Sequence, residues 1–123
     1  MGIILIVEDE VFIRQFAEGV VQDMGHEPLV ASDVGEALAH LRTPQPIDGL
    51  FADIRLKSML LGGFELAQNA VALRPGLRVL YTSGSPMTEE MQALFVDGAL
   101  FLQKPYSPDQ LQSSLEELLG AAL

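Results

Sequence analysis

Apolar runs alternate along this chain with segments of helical periodicity. Residues 3–7 are aliphatic throughout, which reads as a strand buried on both faces. Glu8-Asp9-Glu10 stops that run. Phe12, Phe16, Val20 and Met24 then recur every fourth residue, with Ile13 and Val21 beside them, so a helix with one buried stripe is expected, ending at Gly25. A short second strand is expected over 28–31. Ser32 or Asp33 can cap the next helix, which carries Ala37, Leu38 and Leu41 and stops before Pro44. The third strand is expected over 47–54, followed by a loop over 55–63 that contains Gly62-Gly63. A helix over 64–73, a strand over 77–81, a turn over 82–86 and a helix over 88–96 follow. A short strand over 98–102 and a last helix marked by Leu111, Leu115 and Leu118, to about Leu119, complete the chain. This is a strand–helix unit repeated five times. Strands that are apolar throughout and alternate with helices imply an α/β fold, a parallel sheet covered on both faces.

Composition narrows the class. The chain has 123 residues, 49% of them hydrophobic and 20% charged, which suits one soluble domain over residues 1–123 with no attached effector domain. Seventeen acidic side chains against seven basic give a net charge of −10, so direct binding to nucleic acid or to an anionic membrane is not expected. There is no cysteine, which excludes disulfides, thiolate metal sites and a cysteine nucleophile. No apolar stretch approaches the ~20 residues that span a bilayer, and no basic segment followed by an apolar core opens the chain. A cytoplasmic location is expected.

In an open parallel sheet, ligands bind outside the carboxyl ends of the strands. Glu8 and Asp9 follow the first strand, Asp53 closes the third, Thr82 and Ser83 follow the fourth, and Lys104 follows the fifth. Each has an ordinary structural reading by itself: a solvated turn, a strand-end Asp, a turn serine, a surface lysine. Their joint placement at strand ends points instead to one cluster. Three carboxylates repel one another unless neutralised, and a hard divalent cation with oxygen ligands, such as Mg²⁺, does this. Lys104, the only basic residue after Arg78, adds a second positive charge. The Ser83 hydroxyl can bond a phosphoryl oxygen. Such a cluster fits phosphoryl transfer, which needs mostly positioning and charge neutralisation.

The stretches Ile4-Leu5-Ile6-Val7-Glu8-Asp9-Glu10, Phe51-Ala52-Asp53-Ile54-Arg55, Val79-Leu80-Tyr81-Thr82-Ser83-Gly84 and Phe101-Leu102-Gln103-Lys104-Pro105 together resemble the receiver domain of two-component response regulators, over essentially the whole chain. The resemblance, to the single-domain chemotaxis type, implies a flavodoxin-like, doubly wound five-stranded sheet of order 2-1-3-4-5 with five helices. It implies that Asp53 accepts a phosphoryl group from a sensor histidine kinase or a histidine phosphotransfer protein. It implies Mg²⁺ on Asp9, Asp53 and the backbone carbonyl of Arg55, with Glu8 acting through water. Lys104 would pair with the phosphoryl group, Ser83 would be the switch hydroxyl and Phe101 the switch aromatic. The Lys104–Pro105 bond would be cis. Output would pass through the fourth helix, fifth strand and fifth helix. The chain departs from the family pattern at Leu56-Lys57, in a longer loop before Gly62-Gly63, in Phe101 where Tyr is usual, and in Ser83 where Thr is usual.

Two alternatives share parts of this pattern. A receiver could work by protein docking without phosphorylation. A haloacid-dehalogenase-type phosphatase also combines an Asp nucleophile, a hydroxyl, a Lys and Mg²⁺, but it needs an Asp two residues after the nucleophile, where this chain has Arg55. A dinucleotide-binding domain would need a Gly-rich turn where Glu8-Asp9-Glu10 stands.

Overall fold

The computed structural model describes residues 2–56 and 62–120. In chain order the elements are β1 (Ile3–Val7), α1 (Val11–Asp23), β2 (Glu27–Ala31), α2 (Val34–Leu41), β3 (Gly49–Asp53), α3 (Gly62–Leu73), β4 (Arg78–Ser83), α4 (Glu89–Gln92), β5 (Leu100–Gln103) and α5 (Pro108–Gly120). The strands form one parallel sheet of order β2-β1-β3-β4-β5. β3 therefore lies at the centre and carries Asp53 at its carboxyl end. No helix among the described residues is long and apolar enough to cross a membrane.

The period of two along each strand divides the core into two layers. Leu5, Val7, Leu50, Ala52, Val79 and Tyr81 point to the side covered by α2 and α3. Ile4, Ile6, Phe51 and Leu80 point to the side covered by α1 and α5, where they meet Val20, Val21, Leu111 and Leu115. This two-sided burial is why β1 is apolar at every position, and β3 up to Asp53, rather than at alternate ones. Asp33 caps α2 by accepting a hydrogen bond from the Glu36 amide at 2.8 Å, as a helix-initiating Asp should.

Several element boundaries and one packing face differ from the sequence pattern. The buried seam of α1 is Ala17, Val20 and Val21, while Phe12 is 85% exposed and Phe16 39% exposed. Phe12 lies roughly two and a half turns before Val21 and so points the opposite way. β3 is shorter than 47–54, and β4 runs on through Thr82 and Ser83, because the parallel ladder pairs Asp53 with Thr82 and Ser83 with Gln103. β5 starts at Leu100, since Gly98 adopts a left-handed φ of 76° in the preceding turn. Gly62 and Gly63 belong to α3 rather than to the loop. Residues 57–61, including the distinctive Lys57, lie outside the described residues.

The largest difference is α4, which is regular only over Glu89–Gln92 rather than 88–96. Thr88 caps it as a threonine should, accepting from the Met91 amide at 3.1 Å. Tertiary packing then overrides the helical pattern. The Val96 amide donates to the Tyr81 hydroxyl (3.2 Å), and the Phe95 ring packs against the Tyr81 ring at 4.6 Å.

Candidate functional site

The carboxyl ends of β1, β3, β4 and β5 open on a cleft of about 370 Å³ lined by Asp9, Glu10, Ile13, Asp53, Arg55, Ser83, Gly84, Ser85 and Lys104. Every strand-end residue singled out in the sequence, apart from Glu8 and Thr82, lines it directly. Glu8 sits just beneath, 4% exposed, and Asp53 is 6% exposed on the floor.

Lys104 organises the cluster. Its ammonium donates to Asp53 Oδ2 at 2.7 Å and lies 2.7 Å from Glu8 Oε1. The β4–β5 pairing brings it there: the Lys104 amide donates to the Ser83 carbonyl at 2.9 Å, one residue beyond the ladder. The Lys104–Pro105 peptide is cis. Asp53 Oδ1 accepts from the Arg55 amide (3.0 Å), and Glu8 Oε2 accepts from the Glu10 amide (3.1 Å). The two carboxylates are thus aimed by their own following turns, and one cation sits between them.

Thr82 and Ser83 are adjacent hydroxyls with different fates. Thr82 Oγ1 donates to the Leu102 carbonyl at 2.7 Å, so it ties β4 to β5. Ser83 faces the cleft, and its Oγ accepts from the Ser85 amide at 3.1 Å. That leaves the Ser83 hydroxyl proton directed by whatever occupies the cleft.

One carboxylate oxygen each from Glu8, Asp9 and Asp53 lies within 4.8 Å of the others, a spacing that suits a shared hard cation. Glu8 Oε1 is buried, and the Lys104 ammonium lies 2.7 Å from it.

Burial pushes the Glu8 carboxyl up to about 7; the Lys104 and Glu10 bonds pull it down without overcoming the loss of solvent, and the Asp53 charge adds to the rise. Burial alone would lower the Lys104 ammonium, but its bonds to Asp53 and Glu8 outweigh that, so it is raised and stays charged. The Glu8 shift has a signed consequence for stability. As pH rises from about 4.5 towards 7, the unfolded chain loses the Glu8 proton first while the folded state retains it, so stability falls across that window. Without divalent metal, wild type is expected to lose on the order of 2 kcal/mol between pH 4.5 and 8 relative to Glu8→Gln. Urea unfolding of both proteins across that range measures it; parallel pH profiles would remove the buried-acid assignment.

Residues that the sequence pattern did not single out also shape the site. Arg14 on α1 donates from Nη1 to the Glu8 backbone carbonyl at 2.8 Å. The Tyr106 ring packs on Phe16 and Phe51, each at 5.8 Å between centroids, and walls the α1 side of Lys104. Burial pushes its hydroxyl up to about 12. The i to i+6 relation of Glu8 and Arg14 crosses a turn, so no helical or strand period marks it. Phe101 pairs with Tyr81 across the ladder and is half-buried, its ring 6.4 Å from that of Phe95.

A family model described as the response regulator receiver domain matches residues 4–116. Among curated proteins, the nitrogen assimilation regulatory protein NtrX of Azorhizobium caulinodans is 33% identical over 117 residues, 94% of this chain and 26% of that protein. The chain spans about a quarter of the length of the curated relatives it matches. Among solved structures, a response regulator receiver protein from Sinorhizobium medicae superposes with a TM-score of 0.89 at 27% identity, covering 99% of this chain and 97% of the other. A CheY-like receiver domain protein from Methanospirillum hungatei gives a TM-score of 0.87 at 27% identity, covering 98% and 95%.

Proposed function

The chain belongs to the response regulator receiver domain family and has its flavodoxin-like fold, and on that footing we propose that Asp53 is its phosphoacceptor. One observation carries the reading: the Lys104 ammonium is held 2.7 Å from Asp53 Oδ2, at the end of the central strand and the floor of an open cleft. An Asp53 oxygen attacks phosphorus, the new O–P bond forms as the donor's N–P bond breaks, and the departing imidazole takes up a proton. Lys104, already against Asp53, follows the charge onto the phosphoryl oxygens, and the Ser83 hydroxyl donates to one of them. Water can attack the same phosphorus, forming inorganic phosphate as the Asp53 O–P bond breaks and the carboxylate is restored, so the domain assists both gain and loss of its phosphoryl group while its role remains that of a signalling phosphoacceptor.

Glu8, Asp9 and Asp53 fit Mg²⁺, and Arg55, which lines the same cleft, would offer its backbone carbonyl as a further ligand. When bound, the ion supplies charge neutralisation of the phosphoryl oxygens. Glu8 must give up its proton near pH 7 to serve this site, so the melting-temperature gain on adding Mg²⁺ is expected to be several-fold larger at pH 8 than at pH 6.

The donor is a phosphohistidine on a kinase or phosphotransfer protein. An apolar groove of about 560 Å³, lined by Phe12, Ile13, Phe16, Gly84, Lys104, Pro105 and Tyr106, adjoins the cleft and offers that donor a footing beside Asp53. For output, Leu94 is 39% exposed, and half-buried Met91, Phe95, Val96 and Phe101 surround the α4–β5 edge. Glu89, Glu90 and Asp97 rim it, and no basic side chain other than Lys104 follows Arg78 in the sequence. A target with an apolar anchor and basic flanks suits such a face. Phe101, moving inward as Ser83 turns to the phosphoryl group, would carry the change to it.

Incubation with acetyl phosphate and Mg²⁺ followed by intact-mass measurement is expected to show one added phosphoryl group, lost on standing with Mg²⁺ once the acetyl phosphate is removed. No gain in mass, with Mg²⁺ binding intact, would favour a receiver that works by docking alone.

A further inference from the structure

We infer that Arg14 is a positioning residue for the acidic pair Glu8-Asp9, acting through the Glu8 backbone carbonyl; this rests on the reading of the cleft as a Mg²⁺ and phosphoryl site. The turn that carries both acids joins β1 to α1, and within it the Glu10 amide donates to Glu8 Oε2 at 3.1 Å. Glu10, at the cap position of α1, makes no side-chain capping bond. The Glu8 amide donates to the Ala31 carbonyl at 3.1 Å, which fixes the turn on its strand side. On its helix side, the Glu8 carbonyl accepts from Arg14 Nη1 at 2.8 Å. Arg14 is half-buried on the first turns of α1, and its own amide donates to the Glu10 carbonyl at 2.9 Å. Backbone and side chain of one residue therefore grip both ends of the acidic tripeptide.

A charged donor to a carbonyl is a stronger tie than a neutral one, and a guanidinium holds its direction better than an ammonium. Once the turn is held, the Glu8 carboxylate enters beneath the cleft and Asp9 lines it. The physical alternative is that Arg14 is merely a cation close to an acidic cluster. The two roles predict opposite signs. A nearby positive charge repels a divalent cation, so removing a mere cation would tighten Mg²⁺ binding. Removing a positioning group would loosen it.

The test is calorimetric titration of Mg²⁺ at pH 8 into wild type, Arg14→Gln and Arg14→Lys, with the melting temperature of each recorded without metal. Arg14→Gln is expected to raise the Mg²⁺ Kd about tenfold, the scale seen when an outer-shell support is lost. Arg14→Lys, which keeps the charge but not the fork, is expected to fall between. Labelling by acetyl phosphate should slow in Arg14→Gln at low Mg²⁺ and recover at saturating Mg²⁺. Tighter or unchanged Mg²⁺ binding in Arg14→Gln overturns the assignment. If Arg14→Gln does not fold, Arg14→Lys decides: a weakened Kd supports positioning, and a wild-type Kd overturns it. Wild type that binds no Mg²⁺ would instead bring down the metal reading of the cleft, and this inference with it.

Discussion

Asp53→Asn is expected to fold and to gain no phosphoryl mass from acetyl phosphate and Mg²⁺, under conditions in which wild type is labelled to near completion. The substitution keeps size and shape on the floor of the cleft, and Asn can still accept from the Arg55 amide, which lies 3.0 Å from Asp53 Oδ1. It removes the anionic oxygen that would attack phosphorus. It also removes half of the ion pair at Lys104, whose ammonium lies 2.7 Å from both Asp53 and Glu8. Two opposed effects then bear on stability. Loss of a partly buried ion pair is unfavourable, whereas relief of repulsion between Asp53 and Glu8 is favourable. With Lys104 still paired to Glu8, the net change is expected to stay within about 1 kcal/mol. Intact mass spectrometry reads the labelling and urea unfolding reads the stability. Substantial labelling of the variant at another residue would move the acceptor elsewhere, whereas an unlabelled but unfolded variant would show that Asp53 is chiefly structural.

Gly63→Ala is expected to damage the protein severely for a change of one methyl group. A Cβ at Gly63 would stand 2.3 Å from the Asp53 carbonyl oxygen and 2.6 Å from Ile54 Cα, both backbone atoms that cannot step aside. The start of α3 rests directly on the end of β3, and the Gly63 amide donates to the Ile54 carbonyl at 2.8 Å. To admit the methyl, α3 must lift or β3 must bend, and a bend in β3 moves Asp53 relative to Lys104. A loss on the order of 3 kcal/mol is expected, or roughly 10 °C in melting temperature. Mg²⁺ binding should weaken with it. Gly19→Ala is the control: it lies within α1 with nothing within 4 Å of the added Cβ, so helix propensity alone should stabilise it by up to about 1 kcal/mol. A Gly63→Ala protein that melts within about 2 °C of wild type would contradict the close approach.

The parallel sheet and its two layers were legible because parallel strands buried on both faces must be apolar at every position, and residues 3–7 and 49–52 have that character, whereas the strand order followed only from the resemblance to receiver domains. The acidic pair, Asp53, Ser83 and Lys104 were legible for a related reason: in such a sheet the strand ends converge, so polar residues placed just there stand out. Residue types alone pointed to a site for a cation and a phosphoryl group; the acceptor role of Asp53 came only with the resemblance to receiver domains, since a phosphatase can combine the same groups.

What the chain could not declare were relations across the fold. Helical periodicity counts Phe12 as a core residue; only the packing of α1 against β1 and α5 decides that Ala17, Val20 and Val21 face inward and Phe12 faces water. Thr82 and Ser83 are both hydroxyls at the end of β4, and the contacts of each are fixed by the fold: Thr82 is bound to the Leu102 carbonyl of β5, and Ser83 lines the cleft. The extent of α4 depends on the Tyr81 hydroxyl, which takes the Val96 amide out of the helical pattern. Glu8 is an ordinary acid until burial beside Asp53 raises its proton affinity. Local sequence determines which groups each strand end presents, because side-chain alternation and turn chemistry act over a few residues. Only the tertiary structure decides which of those groups meet, because hydrogen bonds and desolvation depend on distances between residues far apart along the chain.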